Sequence, residues 1–245
     1  MNAQEGFVSH LMELRSRLIR ALVAVVVVFL CLFPFASNIY DFLASPMIRA
    51  LPDGTKMIAT GVVAPFFIPM KITGMVAFVI ALPFVLYQAW AFVAPGLYAH
   101  EKRLVLPLIV ASTVLFLIGV AFCYVFVFGV VFSTIYKWAP KSISVAPDIE
   151  NYLNFVLGMF MAFGITFEVP VVVVVLVRMG LVSLDKLKEV RRYFIVVAFV
   201  VSAIVTPPDV LSQIMLAVPL CLLYEIGMLV ARFVTPLQRP AELEH

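Results

Sequence analysis

Long runs of apolar residues, separated by short polar segments, dominate this chain of 245 residues. A helix needs about 20 apolar residues to cross the hydrocarbon core of a bilayer. Four runs approach or exceed that length, and a further apolar stretch is interrupted by Thr206-Pro207-Pro208-Asp209. The pattern predicts an all-α integral membrane protein of six transmembrane helices, with spans at about 18–35, 66–92, 104–136, 152–179, 193–206 and 210–230.

The last two spans are predicted to be short because two prolines divide the stretch that contains them. A continuous helix does not accommodate Pro207-Pro208 in its interior. The segment 193–205 rises only about 20 Å as a helix. It is therefore either a short span or one arm of a re-entrant hairpin, and both alternatives return the chain to the same side. Two short spans are favoured because 210–230 is long enough to cross unaided.

Composition supports lipid as the solvent for most of the chain. Hydrophobic residues make up 64% of it and charged residues 13%, whereas soluble domains are about half apolar and about one quarter charged. Residues 1–240 are therefore interpreted as a single polytopic membrane domain. Residues 241–245 resemble a remnant of an expression tag. The net charge of +3 is too small to indicate a nucleic-acid partner.

The distribution of lysine and arginine predicts the orientation. With six spans, 12 of these residues fall on the side that holds both termini and five on the opposite side. The positive-inside rule therefore predicts that both termini are cytoplasmic. The largest external loop is then the segment 37–65, which contains Pro46.

Two acids lie on the predicted cytoplasmic side. Glu13, in an amphipathic segment before the first span, precedes Arg17 by four residues, and such pairs commonly form on a helix surface. Glu101 precedes the third span, where an acid favours the positive end of a helix. Functionally, two exposed carboxylates on a side rich in positive charge suit a basic ligand, especially one with guanidinium groups that bond in bidentate fashion.

Glu168 lies well inside the fourth predicted span. An ionisable residue at that depth costs free energy, so Glu168 is treated by default as a candidate functional residue. Its structural explanation is a protonated carboxyl bonded to a carbonyl freed by Pro170. Gln213, near the external end of the sixth span, is either a hydrogen-bonding residue for a partner helix or an interfacial polar residue. Glu225, near the cytoplasmic end of that span, is expected to reach interfacial water.

The residue types present argue against an enzyme. The histidines are His10, His100 and His245, and none lies inside a predicted span, so a buried Ser–His dyad is not available. No metal-ligand cluster, phosphate-binding glycine-rich loop or ATPase motif occurs. We expect no cofactor and no catalytic residue.

Four blocks of sequence occur in order over nearly the whole chain. They are His10–Leu18; Pro83–Tyr98 followed by Glu101-Lys102-Arg103; Gly164–Pro170; and Thr206–Asp209 with Ser212-Gln213 and Leu223-Tyr224-Glu225. One block alone would be weak evidence, but together the four resemble the TatC family, the core receptor subunit of the twin-arginine (Sec-independent) protein translocase.

The resemblance implies a cup-shaped bundle of six helices that binds the twin-arginine signal peptides of folded cargo proteins at the cytoplasmic face. By the same resemblance, Glu13 and Glu101 contact the arginine pair. The resemblance also marks Arg15, Phe92 and the external Pro46 as functionally sensitive, and Arg17 is counted among the signal-peptide-binding residues.

The resemblance also implies a membrane-embedded site for partners. Glu168 matches an acid on the concave face, and Gln213 matches the region of the short helices where TatA-like and TatB-like single-span subunits dock; Asp209 and Glu225 are grouped with them. The implied setting is a bacterial inner membrane. There the chain contacts lipid and associates with further copies of itself, and the proton-motive force drives transport.

Two other functions are weighed against this one. A proton-coupled small-solute transporter could use Glu168, but such transporters usually show repeated halves and several polar groups at mid-membrane. Here one buried acid stands nearly alone and no repeat is visible. An intramembrane protease lacks its catalytic partner residues.

Overall fold

The computed structural model describes residues 3–50, 58–93, 102–138, 148–206 and 209–233. Within this part of the chain the residues form helices and no β-strand; an isolated bridge joins Ile58 and Asp148. The α-helices are α1 (Ala3–Leu32), α2 (Ala36–Ala50), α3 (Ala64–Val93), α4 (Lys102–Phe122), α5 (Phe128–Trp138), α6 (Ile149–Phe167), α7 (Val169–Arg178), α8 (Leu184–Val205) and α9 (Val210–Ala231).

Five helical stretches in the described residues are long and apolar enough to cross a membrane. They are His10–Ser45, Ala64–Phe92, Leu106–Thr134, Ile149–Arg178 and Val210–Ala231. Helix α8 is not among them, because its first two turns carry several charged residues and only the remainder is apolar. The charged residues of its first turns and the short span predicted at 193–206 thus belong to one continuous helix.

Three of these stretches are not single regular α-helices. A 3₁₀ turn at Phe33–Phe35, which contains Pro34, joins α1 to α2. A π-helical turn, Cys123–Val127, joins α4 to α5. Helix α2 occupies much of the segment predicted to be an external loop, and Pro46 lies within it. Apolar residues recur over Ala36–Ala50 at spacings of three and four, which suits a helix, although Pro46 is also typical of a loop.

The fourth long stretch is interrupted at Glu168. The Glu168 N–H donates to the carbonyl of Ile165 at 3.0 Å, a tighter turn than that of an α-helix. Pro170 has no N–H to donate to the carbonyl four residues before it, so the regular bonding pattern fails here. Helix α7 then resumes with Val172 donating to the Glu168 carbonyl at 3.0 Å. The acid therefore lies where two helical segments meet.

The chain divides into two compact units. The first contains residues 1–95 and 123–158, and the second contains 96–122 and 159–245. In the first unit α1 and α2 pack along α3, and α2 also contacts α5. In the second unit α9 packs against both α7 and α8.

In the first unit, Asp148 forms hydrogen bonds both to the segment before α3 and to the start of α6. Its Oδ2 accepts the hydroxyl and the N–H of Thr60 at 2.6 and 3.1 Å. Its Oδ1 accepts the N–H groups of Glu150 and Asn151 at 3.0 and 2.9 Å. The bond from the Thr60 hydroxyl, first among these, lowers the pKa of Asp148 below its ordinary value. These bonds therefore stabilise the fold at pH values above the pKa that Asp148 has in the unfolded chain. The stabilisation is lost as the pH falls through the lower pKa that Asp148 has in the folded protein.

In the second unit, two glycines allow α4 and α6 to approach each other closely. A Cβ atom on Gly119 would lie 2.6 Å from the carbonyl oxygen of Phe163. A Cβ atom on Gly164 would collide with the ring of Phe116. Because neither glycine carries a side chain, α4 and α6 pack at a separation that other residues would prevent.

The turn between α7 and α8 is defined by its end groups. Gly180 has a φ of 66°, which favours glycine, and it follows the last turn of α7. The N–H of Leu181 donates to the carbonyl of Leu176 at 3.1 Å, which completes a Schellman motif. The Ser183 hydroxyl then accepts the N–H of Lys186 at 3.3 Å and caps α8.

Candidate functional site

One stripe of α1 carries the first group of predicted site residues. Between residues 11 and 20 only Glu13, Ser16 and Arg17 are partly buried, and they lie on the stripe that faces α3. Both Nε and Nη2 of Arg17 donate to Oε1 of Glu13, at 2.9 and 2.5 Å. The side chain of Glu13 is 42% exposed and that of Arg17 is 23% exposed. The predicted i,i+4 pair is therefore present, and Glu13 still reaches solvent.

The ring of Phe92, near the end of α3, stacks on the ring of His10. Their centroids are 4.3 Å apart and their planes differ by 17°. His10 lies three residues before Glu13, so both project from the same side of α1. The structure thus brings Phe92, Glu13 and Arg17 to one region of the first unit. His10 is not among the site residues predicted from the sequence, although its spacing from Glu13 indicates a shared face of the helix.

Other predicted residues are not joined to this group by the described structure. Arg15 is exposed and, two residues from Glu13, projects from another side of α1. Glu101 lies outside the described residues, so its predicted role beside Glu13 stays a prediction. The backbone of Pro46 belongs to α2, and its side chain lies outside the described set.

Glu168 is the centre of a second candidate site, in the second unit. Both of its carboxylate oxygens are buried, and neither forms a hydrogen bond of good geometry with any described residue. The predicted bond to a freed carbonyl is thus not made. Ser112 on α4 is fully buried, and its hydroxyl is the polar side-chain group that interacts with the Glu168 carboxylate. A buried acid without a full set of partners costs stability, so its presence favours a functional role.

Replacing Glu168 by leucine is expected to stabilise the folded protein. Removing a buried carboxyl group that lacks a full set of hydrogen bonds recovers about 1–3 kcal/mol of desolvation cost. The measurement is thermal unfolding of the purified protein in detergent. Glu150→Leu is the matched control on α6, because the Glu150 carboxylate pairs with Lys71 at 3.1 Å and its loss should not stabilise. A lower unfolding temperature for Glu168→Leu would show that the acid is structural.

Two predicted residues organise the junction between α8 and α9. Asp209 caps α9, since its Oδ1 accepts the N–H of Ser212 at 2.6 Å. The side-chain amide of Gln213 donates to the carbonyl of Phe199 on α8 at 3.2 Å. Gln213 therefore bonds within its own chain, which leaves its oxygen as the group that could meet a partner helix.

Glu225 is paired rather than merely hydrated. Both oxygens of its carboxylate accept from Arg191 on α8, through Nε and Nη2. Hydrogen bonding by Glu225, followed by its charge, raises the pKa of Arg191 above the ordinary value. The neighbouring Tyr224 donates its hydroxyl to the carbonyl of Leu187 at 2.8 Å. This end of α9 is therefore bonded to the first turns of α8.

Comparisons with known proteins identify the family that the chain resembles. A family model described as "Sec-independent protein translocase protein (TatC)" matches residues 9–219. A TatC protein of Escherichia coli K12 is 50% identical over 94% of this chain and 89% of its own length. A TatC protein of Halothiobacillus neapolitanus is 53% identical over 98% of this chain, which spans 66% of that relative.

Solved structures show the same helical fold. A crystal structure of the twin-arginine translocase receptor TatC superposes with a TM-score of 0.80 at 38% identity. The match covers 91% of this chain and 98% of that one. The all-α fold predicted from the apolar runs is therefore confirmed, and with most of its length matched by the family model, the chain belongs to the TatC family.

Proposed function

We propose that this chain is the receptor subunit of a twin-arginine translocase and binds signal peptides that carry paired arginines. The observation that supports this most directly is the Glu13 carboxylate, which already accepts two bonds from a guanidinium, that of Arg17. An arginine of an incoming peptide offers the same donors in the same fork. Family membership supports the wider role in translocating folded proteins.

The Glu13–Arg17 pair is weak enough to exchange. An i,i+4 ion pair on a helix surface contributes only about 0.3–0.5 kcal/mol. An incoming guanidinium that takes both carboxylate oxygens gains more than Arg17 loses, because Arg17 uses Oε1 alone. Arg17 therefore holds the carboxylate until a peptide arginine replaces it, and Glu101 is the second acid for the arginine pair.

The proposed setting is a bacterial inner membrane with both termini in the cytoplasm. The excess of lysine and arginine on the side of the termini supports this orientation. Glu13 then lies on the cytoplasmic side, where a signal peptide arrives before transport. The proton-motive force is the energy source that membership in this family suggests, and the lack of a nucleotide-hydrolysis motif in the sequence is consistent with it.

The partner subunits are proposed to dock on α8 and near Glu168. From Tyr193 to Val205 most large apolar side chains of α8 are exposed, whereas Ala198 and Ser202 are buried. A membrane surface of this kind accepts lipid or a further helix. The single-span TatA-like and TatB-like subunits and further copies of this chain are the proposed occupants. Glu168 would meet a polar group of such a helix.

The proposal is tested with Glu13→Gln and Glu101→Gln variants and a twin-arginine peptide carrying a photocrosslinker. Loss of one charge-assisted bidentate contact, about 1.5–3 kcal/mol, lowers affinity about 10- to 100-fold. Glu189→Gln is the matched control, because it removes an exposed acid on α8 and changes the net charge equally. Unchanged binding in both Glu13 and Glu101 variants would contradict the proposal.

The alternative, a proton-coupled transporter of small solutes, is less well supported. Membership in a protein-translocase family favours translocation and confirms the expectation that the chain is not an enzyme. Solute flux through the purified chain in liposomes would favour the alternative.

A further inference from the structure

The stacked rings of His10 and Phe92 form an aromatic pair between α1 and α3. Phe92 is partly buried, but His10 is exposed although one face of its ring lies against Phe92. The His10 side chain therefore stacks on Phe92 and still remains accessible to solvent. The His10 ring thus presents a planar aromatic surface on the exposed side of this contact between α1 and α3.

The neighbouring turn of α1 supplies a matching carboxylate. His10, Glu13 and Arg17 are spaced by three and four residues, which places them on one stripe of the helix. The guanidinium of Arg17 already binds at this stripe through Nε and Nη2. The described residues therefore show that a guanidinium fits beside Glu13.

A guanidinium has two distinct binding surfaces. Its edge donates hydrogen bonds to a carboxylate, and its flat face stacks on an aromatic ring. A lysine ammonium has no flat face and donates from a single point. An aromatic ring beside a carboxylate therefore favours arginine over lysine more than the carboxylate alone does.

We infer that His10 is a further peptide-binding residue: its ring, held by Phe92, stacks on the face of a peptide guanidinium whose edge is bonded by Glu13. This inference rests on the proposed function and adds a residue that selects arginine over lysine.

The experiment compares the affinities of a twin-arginine and a twin-lysine peptide for the parent protein and for His10→Ala and His10→Phe. His10→Ala is expected to lower affinity for the twin-arginine peptide about fivefold. Affinity for the twin-lysine peptide is expected to change less than twofold, so discrimination between the two peptides narrows. His10→Phe keeps an aromatic ring and is expected to restore most of the discrimination.

Two further variants separate the possible failures. Met12→Ala truncates an exposed side chain on another side of α1 and is expected to leave both affinities unchanged. Glu13→Gln tests the proposed function itself, and unchanged binding in that variant would overturn the proposed role of Glu13. If Glu13→Gln weakens binding but His10→Ala leaves the ratio of the two affinities unchanged, the inference about His10 is wrong. Equal thermal stability of all variants shows that each is folded.

Discussion

Replacing Tyr224 by alanine is expected to destabilise the second unit by about 3–5 kcal/mol, the range for deleting a large buried aromatic side chain. Tyr224 is 4% exposed and belongs to an apolar cluster with residues of α7 and α8. Its ring stacks on Phe194 with centroids 4.0 Å apart, and its hydroxyl bonds to Leu187. Thermal unfolding in detergent measures the loss.

Two variants divide this effect into its causes. Tyr224→Phe removes only the hydroxyl bond to α8, so a loss of about 1 kcal/mol is expected. Tyr193→Ala truncates a tyrosine on α8 that is 56% exposed, and a change within about 0.5 kcal/mol is expected. A loss for Tyr193→Ala as large as that for Tyr224→Ala would show that the buried cluster is not the cause.

Replacing Gly119 by alanine is expected to destabilise the protein by about 1–3 kcal/mol, the cost of overpacking a close helix contact. The added Cβ would lie 2.6 Å from the carbonyl oxygen of Phe163 and 2.9 Å from Cγ of Phe167. The first of these is a backbone atom within α6, so the clash is relieved only if the two helices separate. Thermal unfolding of the purified protein again measures the change.

Gly158→Ala is the matched control for this prediction. Gly158 lies on α6, and a Cβ atom there would meet nothing within 4 Å. Alanine is the better helix former by about 1 kcal/mol, so no loss is expected. If Gly119→Ala is as stable as Gly158→Ala, α4 and α6 do not depend on this close approach.

Much of the helical architecture could be predicted from the sequence because apolar runs of sufficient length have few alternatives in lipid. The runs at 66–92 and 210–230 coincide closely with α3 and α9. Helix α2 was harder to predict, because its polar residues and Pro46 are also typical of a loop. The continuity of α8 from the charged segment into the apolar one was missed, since hydropathy changes there while helix propensity does not.

The candidate site was predictable where its contacts are local. The Glu13–Arg17 pair follows from a spacing of four residues on a helix. The stack of His10 on Phe92 and the pairing of Arg191 with Glu225 join residues far apart in the chain. Such contacts depend on how helices pack, which hydropathy does not encode. For the same reason, the incomplete hydrogen bonding of the buried Glu168 oxygens was visible only in the structure.

The pairing of Glu13 with Arg17 also bears on ionic strength. If a peptide arginine takes the place of Arg17, one ion pair forms and one is broken, so the number of ion pairs at this acid is unchanged. Dissolved salt screens both pairs alike. The contribution of this contact to peptide binding is therefore nearly independent of salt concentration, unlike that of a carboxylate that is unpaired before its ligand arrives.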